Sequence, residues 1–177
     1  MYPLIPLKFT DISLKTKLVE FVTRNYLNTK YFAANGNTRK RFFCNILQHD
    51  LDFVDQVKAL RLQSFKDINI NSFKEEPMYG IFLGVNLEEG FIHQHQDLAP
   101  ENFVHTRINF LLSKPIQGGQ PIINNKVYNV DEDCSWINLA SKWLHSSSPV
   151  IGNKPRIVLS MGSFVETSII DSLNIRL

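Results

Sequence analysis

Apolar positions recur at helical spacing in the first third of the chain and in short alternating runs through the rest. After Thr10-Asp11, a pair able to cap a helix start, Leu14, Leu18, Phe21 and Val22 fall on one helical face up to about Leu27, with charged residues between them. That period predicts one amphipathic helix. Leu51, Val54, Val57, Leu60 and Leu62 supply a second stripe, from about Asp50 to about Phe65, and predict another. Between the two, Tyr31 to Asn45 is rich in Asn, Arg and aromatic residues and shows no assignable period.

From Met78 onward, runs of Val, Ile, Phe and Leu alternate with turn signals at Glu89-Gly90, Gly118-Gly119, Asn124-Asn125 and Gly152-Asn153-Lys154-Pro155. The predicted strands are 78–87, 91–96, 104–113, 120–123, 126–130, 134–139, 143–146 and 156–164. So many short strands at this spacing suggest a sandwich or barrel, with the two helices packed outside it. No repeat, low-complexity tract or linker divides the chain, so 1–177 reads as a single domain, with helical support over 1–70 and a β core over 78–164.

Composition agrees with that division without adding a function. A chain of 177 residues, 44% apolar and 20% charged, with 8 Gly and 8 Pro, is long enough to bury a core and too short for two ordinary domains. Nineteen basic and 17 acidic residues leave a formal charge of +2, which predicts no nucleic-acid partner. Residues 1–50 hold 8 Lys/Arg against 3 Asp/Glu, Arg39-Lys40-Arg41 among them, and read as a solvated basic face. Two cysteines, Cys44 and Cys134, lack metal-ligand spacing and any electropositive neighbour in sequence; a reducing cytoplasm is the simplest inference. The N-terminal residues carry no basic segment before an apolar run, and no stretch approaches the roughly 20 apolar residues of a membrane span. Oligomeric state is not written in these features.

Candidate chemistry is concentrated in His95-Gln96-Asp97, His145 and Arg156. Side chains two apart on a strand share a face, so His95 and Asp97 can reach one ion. Two imidazoles and a carboxylate are the ligand set that holds non-haem Fe(II) on one side and leaves positions open. Alone, His-x-Asp is as readily a surface polar pair. His145 supplies a third ligand, and the turn at Gly152 to Pro155 returns the chain antiparallel so that Arg156 comes near it. A guanidinium in an apolar strand needs a partner: either a bound anionic co-substrate, or an ion pair with Glu166 or Asp131. In 104–113, His105, Arg107 and Asn109 alternate with Ile108, Phe110 and Leu112. If the apolar side packs on the helices, the polar side lines a pocket; otherwise this is an edge strand with a wet face.

These residues resemble the Fe(II)- and 2-oxoglutarate-dependent dioxygenases, in His95-x-Asp97, in His145 and in Arg156 at close to the family's distance beyond the distal histidine. The resemblance covers about Tyr79 to Phe164. It is closest to the aspartyl/asparaginyl β-hydroxylase-like group, which includes proline hydroxylases, through Arg107, the Trp-containing stretch and Pro155-Arg156-Ile157-Val158-Leu159. Asn109 stands where that group has a histidine. The resemblance implies a mainly β fold with N-terminal helices, the double-stranded β-helix or cupin-like jelly roll. It implies Fe(II) held by His95, Asp97 and His145 as the catalytic centre, 2-oxoglutarate bound through Arg156, Arg107 and Asn109, and O₂ as oxidant. The substrate is then a small molecule or peptide, hydroxylated on an amino acid or amino-acid side chain while 2-oxoglutarate becomes succinate. The presence of Asp97 favours hydroxylation over halogenation, whose sequences give up the carboxylate.

Two alternatives keep the β core. One is a cupin-type metal site built from His93, His95 and His145, with His105. The other is a non-catalytic cupin-like protein that binds a metal or small ligand. Trp136 and Trp143 flank the approach to His145 and read first as core. Gly118-Gly119 reads as a turn, Asp131-Glu132-Asp133 as a solvated loop, and His49 as structural.

Overall fold

The computed structural model describes residues 4–34, 39–173 and 175, with no side-chain description for residues 4–6. In chain order the elements are β1 (Leu4–Lys8), α1 (Ile12–Asn25), β2 (Ala33–Ala34), β3 (Arg41–Asn45), α2 (Val54–Asp67), β4 (Lys74–Glu75), β5 (Ile81–Asn86) and β6 (Phe103–Ser113). They continue with β7 (Gln117–Gly118), β8 (Pro121–Ile123), β9 (Lys126–Val127), β10 (Cys134–Leu139), β11 (His145–Ser147), β12 (Val150–Ile151), β13 (Arg156–Glu166) and α3 (Thr167–Ser172). The protein is mainly β with few helices, and no described helix is long and apolar enough to cross a membrane.

Eight strands form one sheet in the order β1-β10-β6-β13-β5-β3-β2, with β4 pairing the far end of β13. All its pairings are antiparallel. Beside it stand a three-stranded sheet, β11-β8-β9, and the pair β12-β7. The first third therefore contributes strands β1 and β3 to the main sheet as well as helices. The period there was hidden because β1 is short and β3 interleaves Arg41, Phe43 and Asn45 with buried Phe42 and Cys44.

Alternation along the central strands explains the layering. On β6, Val104, Thr106, Ile108, Phe110 and Leu112 point one way while His105, Arg107 and Asn109 point the other, and nearly all are buried. The apolar set meets Leu14, Leu18 and Val22 of α1 and Val57 and Phe65 of α2 in one continuous core. Phe110 stacks edge-on against Phe9 at 5.3 Å between ring centroids. Each large apolar side chain removed from water in this way contributes roughly 1.5–3 kcal/mol.

Helix α1 starts where the sequence predicts, with the Asp11 carboxylate accepting from the Leu14 N–H at 2.9 Å. Helix α2 begins at Val54, later than expected, and its buried face is Val57, Arg61, Ser64 and Phe65; Leu62 is exposed. A buried arginine masked that stripe. Arg61 is accommodated by an ion pair with Glu75 and by the Phe73 ring 5.4 Å away. The run 91–96 is an irregular segment rather than a strand: it forms one isolated β-bridge, His95 to His145, and Ile92 is held by Ser147, whose N–H donates to Ile92 O at 3.1 Å.

Asp131-Glu132-Asp133 is not merely solvated. Glu132 accepts from the Lys114 backbone N–H at 2.9 Å and pairs with Lys154 at 2.9 Å and Lys15 at 3.1 Å, tying α1 to the ends of β6 and β13. Burial pushes its carboxyl up, but the Lys114 N–H, Lys154 and Lys15 outweigh that and hold it at about 2 against an ordinary 4.5. A depressed folded pKa contributes stability above the unfolded value, and that stability is lost as pH falls toward the folded one. Its side chain is 36% exposed, so solvent screening leaves about 1 kcal/mol. Glu132→Gln should therefore lower urea-unfolding stability by about 1 kcal/mol at pH 7, with the difference shrinking from pH 5 to pH 3. A loss independent of pH would mean that the carboxylate's charge is not what stabilises this corner.

Candidate metal centre and its pocket

The polar face of the main sheet is roofed by β8, β11 and the segment between β5 and β6, and the space between is a cavity of about 570 Å³. His95, Asp97, His105, Arg107, Asn109, His145 and Arg156 all line it. The wet-edge alternative for 104–113 is thus excluded: β6 is paired on both sides, with β10 and β13.

His95 and His145 face each other as an antiparallel bridge, with His95 N–H to His145 O at 3.0 Å and His145 N–H to His95 O at 2.9 Å. Partners in such a bridge project to the same side, and the two rings stand 4.2 Å apart. Asp97, two residues on, is fixed by its N–H to Ala140 O at 2.8 Å. The ligand atoms of the three side chains all lie within 4.8 Å of one another. Asp97 Oδ1 is 3.4 Å from His95 Nε2 and 3.8 Å from His145 Nε2.

Backbone carbonyls set the tautomers. His95 Nδ1 lies 2.8 Å from His93 O, and His145 Nδ1 lies 3.1 Å from Trp143 O. A carbonyl oxygen only accepts, so in each neutral ring Nδ1 carries the proton and Nε2 offers its lone pair to the common point. Burial pushes His145 down to about 4, keeping it neutral at physiological pH. His95 moves the other way, raised by its contact with the Asp97 carboxylate.

The second oxygen of Asp97 is held from below, with His105 Nδ1 at 3.1 Å from Oδ2 and Arg107 Nε at 3.5 Å. Burial opposes the Asp97 charge, but His105, His95, Arg107 and His145 together overcome it and keep the carboxyl well below the usual carboxylate range. Arg107 is itself tied down by Ser160 Oγ at 3.1 Å, Tyr79 O at 3.0 Å, Glu76 at 3.6 Å and the Phe82 ring at 4.9 Å. Gly162, the register partner of Arg107, makes room for this cluster: a Cβ there would stand 2.9 Å from His105 Nε2 and 3.0 Å from Arg107 Nη1.

Arg156 is 3% exposed and its guanidinium lies 5.6 Å from the Trp136 ring. Neither acid offered by the sequence reaches it. Asp131 pairs with Lys114 at 2.7 Å, and Glu166 is exposed at the opposite end of β13. Its Nε is buried without a hydrogen-bond partner among the described residues. Burial, then repulsion from Arg41, lowers its pKa to about 10. Gly119, at φ +65°, lets the chain pass over the arginine stem, where a Cβ would come within 3.0 Å of Cδ.

Of the remaining residues, Asn109 sits in register with Ser160 and Trp136 on the pocket face. Both Trp136 and Trp143 belong to the core, as expected, and Trp136 also lines the pocket. His93 is exposed against the Phe91 ring, and His105 meets Asp97 rather than the common point, so the four-histidine alternative has no geometric centre. His49 lies against Tyr31. Sequence reasoning missed Glu76, Phe82 and Arg41 as pocket residues. The alternation of Arg41 and Phe43 with Phe42 and Cys44 was the available signal.

No protein-family model matches the sequence, and neither does any curated protein. Solved structures do match. A prolyl-4-hydroxylase from Pseudomonas putida aligns with a TM-score of 0.61 and 16% identity over 90% of each chain. A prolyl hydroxylase from Trichoplax adhaerens, solved with a hypoxia inducible factor peptide, aligns with a TM-score of 0.63 and 15% identity over 96% of this chain and 86% of its own. An oxidoreductase of the 2OG-Fe(II) oxygenase family from Burkholderia pseudomallei gives 0.60 and 13% over 88% and 79%. The chain has the fold of the Fe(II)- and 2-oxoglutarate-dependent oxygenases, the class to which its sequence motifs also point. Prolyl hydroxylases are prominent among the structures that share it.

Groups that orient a metal ligand from behind are commonly worth 10–100-fold in metal affinity. His105→Phe keeps the ring volume and deletes the contact to Asp97 Oδ2. It should weaken Mn(II) or Co(II) binding by about 10–100-fold in a direct titration while leaving the fold intact by circular dichroism. Unchanged affinity would show that Asp97 needs no such support.

Proposed function

We propose that this protein is an Fe(II)- and 2-oxoglutarate-dependent oxygenase, folded as one domain over 1–177 with a double-stranded β-helix, or jelly roll, at its centre. The observation that carries the reading is Arg156: a buried guanidinium with no acidic partner among the described residues, opening on the same cavity as two Nε2 lone pairs and a carboxylate. A buried cation without a counter-charge is costly, and a ligand carboxylate bound through two N–H groups offsets that cost. The donor set of two imidazoles and one carboxylate suits ferrous iron.

In this reading His95, Asp97 and His145 hold the iron and Arg156 binds the far carboxylate of 2-oxoglutarate. Bound there, the metal and 2-oxoglutarate supply O₂ activation, with 2-oxoglutarate decarboxylated to succinate as a C–H bond is hydroxylated. The backbone carbonyls of His93 and Trp143 fix the imidazole tautomers, and His105 fixes the Asp97 carboxylate. Arg107 acts by the same route, through Asp97, rather than on 2-oxoglutarate directly, since its donors are already engaged. Asn109 borders the co-substrate from the next rung. The substrate we assign is an amino acid or an amino-acid side chain, presented as a small molecule or within a peptide. Peptide binding by the Trichoplax neighbour fits that range. Two free cysteines suit a reducing compartment, and we assign the chain to the cytoplasm on that ground. A non-catalytic cupin-like binding protein could also hold an anion at Arg156 but would release no succinate.

Protein loaded anaerobically with Fe(II) should bind 2-oxoglutarate in calorimetry and, once oxygen is admitted, release succinate slowly without substrate. Absence of binding by folded, metal-loaded protein would sink the proposal. Arg156→Ala should weaken 2-oxoglutarate by about 10–100-fold, the loss typical of a charged hydrogen bond, with far less effect on metal affinity. Equal losses of both would mean that Arg156 supports the metal site instead.

A further inference from the structure

The Arg41 guanidinium also lines the pocket, and among the described residues no acid forms an ion pair with it. Arg41 on β3, Asn86 on β5 and Arg156 on β13 are register partners in one row across the main sheet. Side chains of one row project to one face, and both arginines line the cavity. Asn86 between them is buried, with its amide nitrogen unpaired among the described residues. Glu89, the acid nearby in the next loop, is taken by Lys40. Half-buried Arg41 has its pKa lowered by burial, with only a distant attraction from Asp97 opposing that.

The charge count says what is missing. Arg41, Arg107 and Arg156 face Glu76 and Asp97 around the cavity, so one positive charge is left over. Ferrous iron and doubly charged 2-oxoglutarate cancel one another and leave that excess unchanged. A single monoanion neutralises it, and a phosphate dianion overshoots. Arg156 is occupied by the co-substrate in the reading above, which leaves Arg41 as the cation for a second organic acid. The cavity's size suits a small ligand beside 2-oxoglutarate.

We propose that Arg41 binds a carboxylate of the organic substrate, so that the molecule oxidised here is a free carboxylic acid rather than a residue in the interior of a peptide. This rests on the oxygenase reading for the word "oxidised", but the carboxylate site itself does not. The α-carboxylate of a free amino acid and the terminal carboxylate of a short peptide share the chemistry.

The test uses matched pairs. Neutral amino acids, proline among them, and tripeptides ending in the same residues are each titrated as free acid and as carboxamide, with binding read by calorimetry on the Fe(II)- and 2-oxoglutarate-loaded protein without oxygen. At least one acid should bind about ten-fold or more tightly than its amide, as one charge-assisted hydrogen-bond pair predicts. Arg41→Gln should abolish that preference and weaken the acid far more than 2-oxoglutarate, and Arg41→Lys should restore part of it. Tighter binding by the amino acid or by the tripeptide identifies the source of the carboxylate. The pairs are also run on metal-free protein, so acid selectivity is scored even where 2-oxoglutarate fails to bind, an outcome that counts against the oxygenase reading alone. Equal affinity for acids and amides throughout overturns the proposal. So does an Arg41→Gln variant that loses 2-oxoglutarate as severely as the acid, which would put Arg41 in the co-substrate site.

Discussion

The Asp97 carboxylate is shared between two sets of partners, and the whole pocket is organised around that sharing. One oxygen faces the Nε2 atoms of His95 and His145, and the other is held by His105 and Arg107. Burial opposes the charge of a carboxylate this enclosed, and the His105 and Arg107 contacts on its far oxygen are prominent among those that preserve it. Removing the lower pair would leave an anion free to rotate away from the imidazoles. The ligand geometry is therefore a property of β6 and β13, whose side chains and small residues support it, as much as of the segment that carries the ligands.

That support requires charged residues inside a sheet that is buried on both sides. The solution is a strict division of faces: aliphatic and aromatic residues toward α1 and α2, and imidazole, guanidinium and amide groups toward the cavity. Arg107 is satisfied entirely from within the protein, by Asp97, Glu76, Ser160 and Tyr79. Arg156 and Arg41 are not. Two buried or half-buried cations that repel each other across one row would be destabilising in an empty pocket, and that cost is offset when anions arrive. In the proposed function, binding affinity and selectivity for acids would share that one physical origin.

Much of this was legible in the chain before any coordinates. The α1 cap at Asp11, the strand 134–139 and the long alternating strands around 104–113 and 156–164 follow from period and turn chemistry, because each is decided by neighbours within a few residues. His95 and Asp97 could be grouped because two-residue spacing is a local rule, whereas His145 joined them through the family resemblance; the expected antiparallel return from His145 to Arg156 is replaced by pairing of β11 with β8 and of β13 with β5 and β6. The stripe of α2 was misjudged at Leu62 because a long-range partner, Glu75, accommodates Arg61 on the buried face, and the run 91–96, expected as a strand, forms only an isolated bridge at His95.

The sequence by itself determined which residue types could bind a metal and an acid, and roughly where the strands would run, since covalent spacing fixes which side chains share a face. Tertiary structure alone decided which charges are satisfied and which wait for a ligand. Arg39-Lys40-Arg41 reads as one solvated basic cluster in the chain, yet Lys40 meets Glu89 while Arg41 lines the cavity. Arg107 and Arg156 read as equals, yet one is met by two carboxylates and the other lies over the Trp136 ring with no carboxylate partner among the described residues. The reason is that an ion pair depends on the distance between groups brought together by β pairing over tens of residues, and that distance exists only once the sheet has formed.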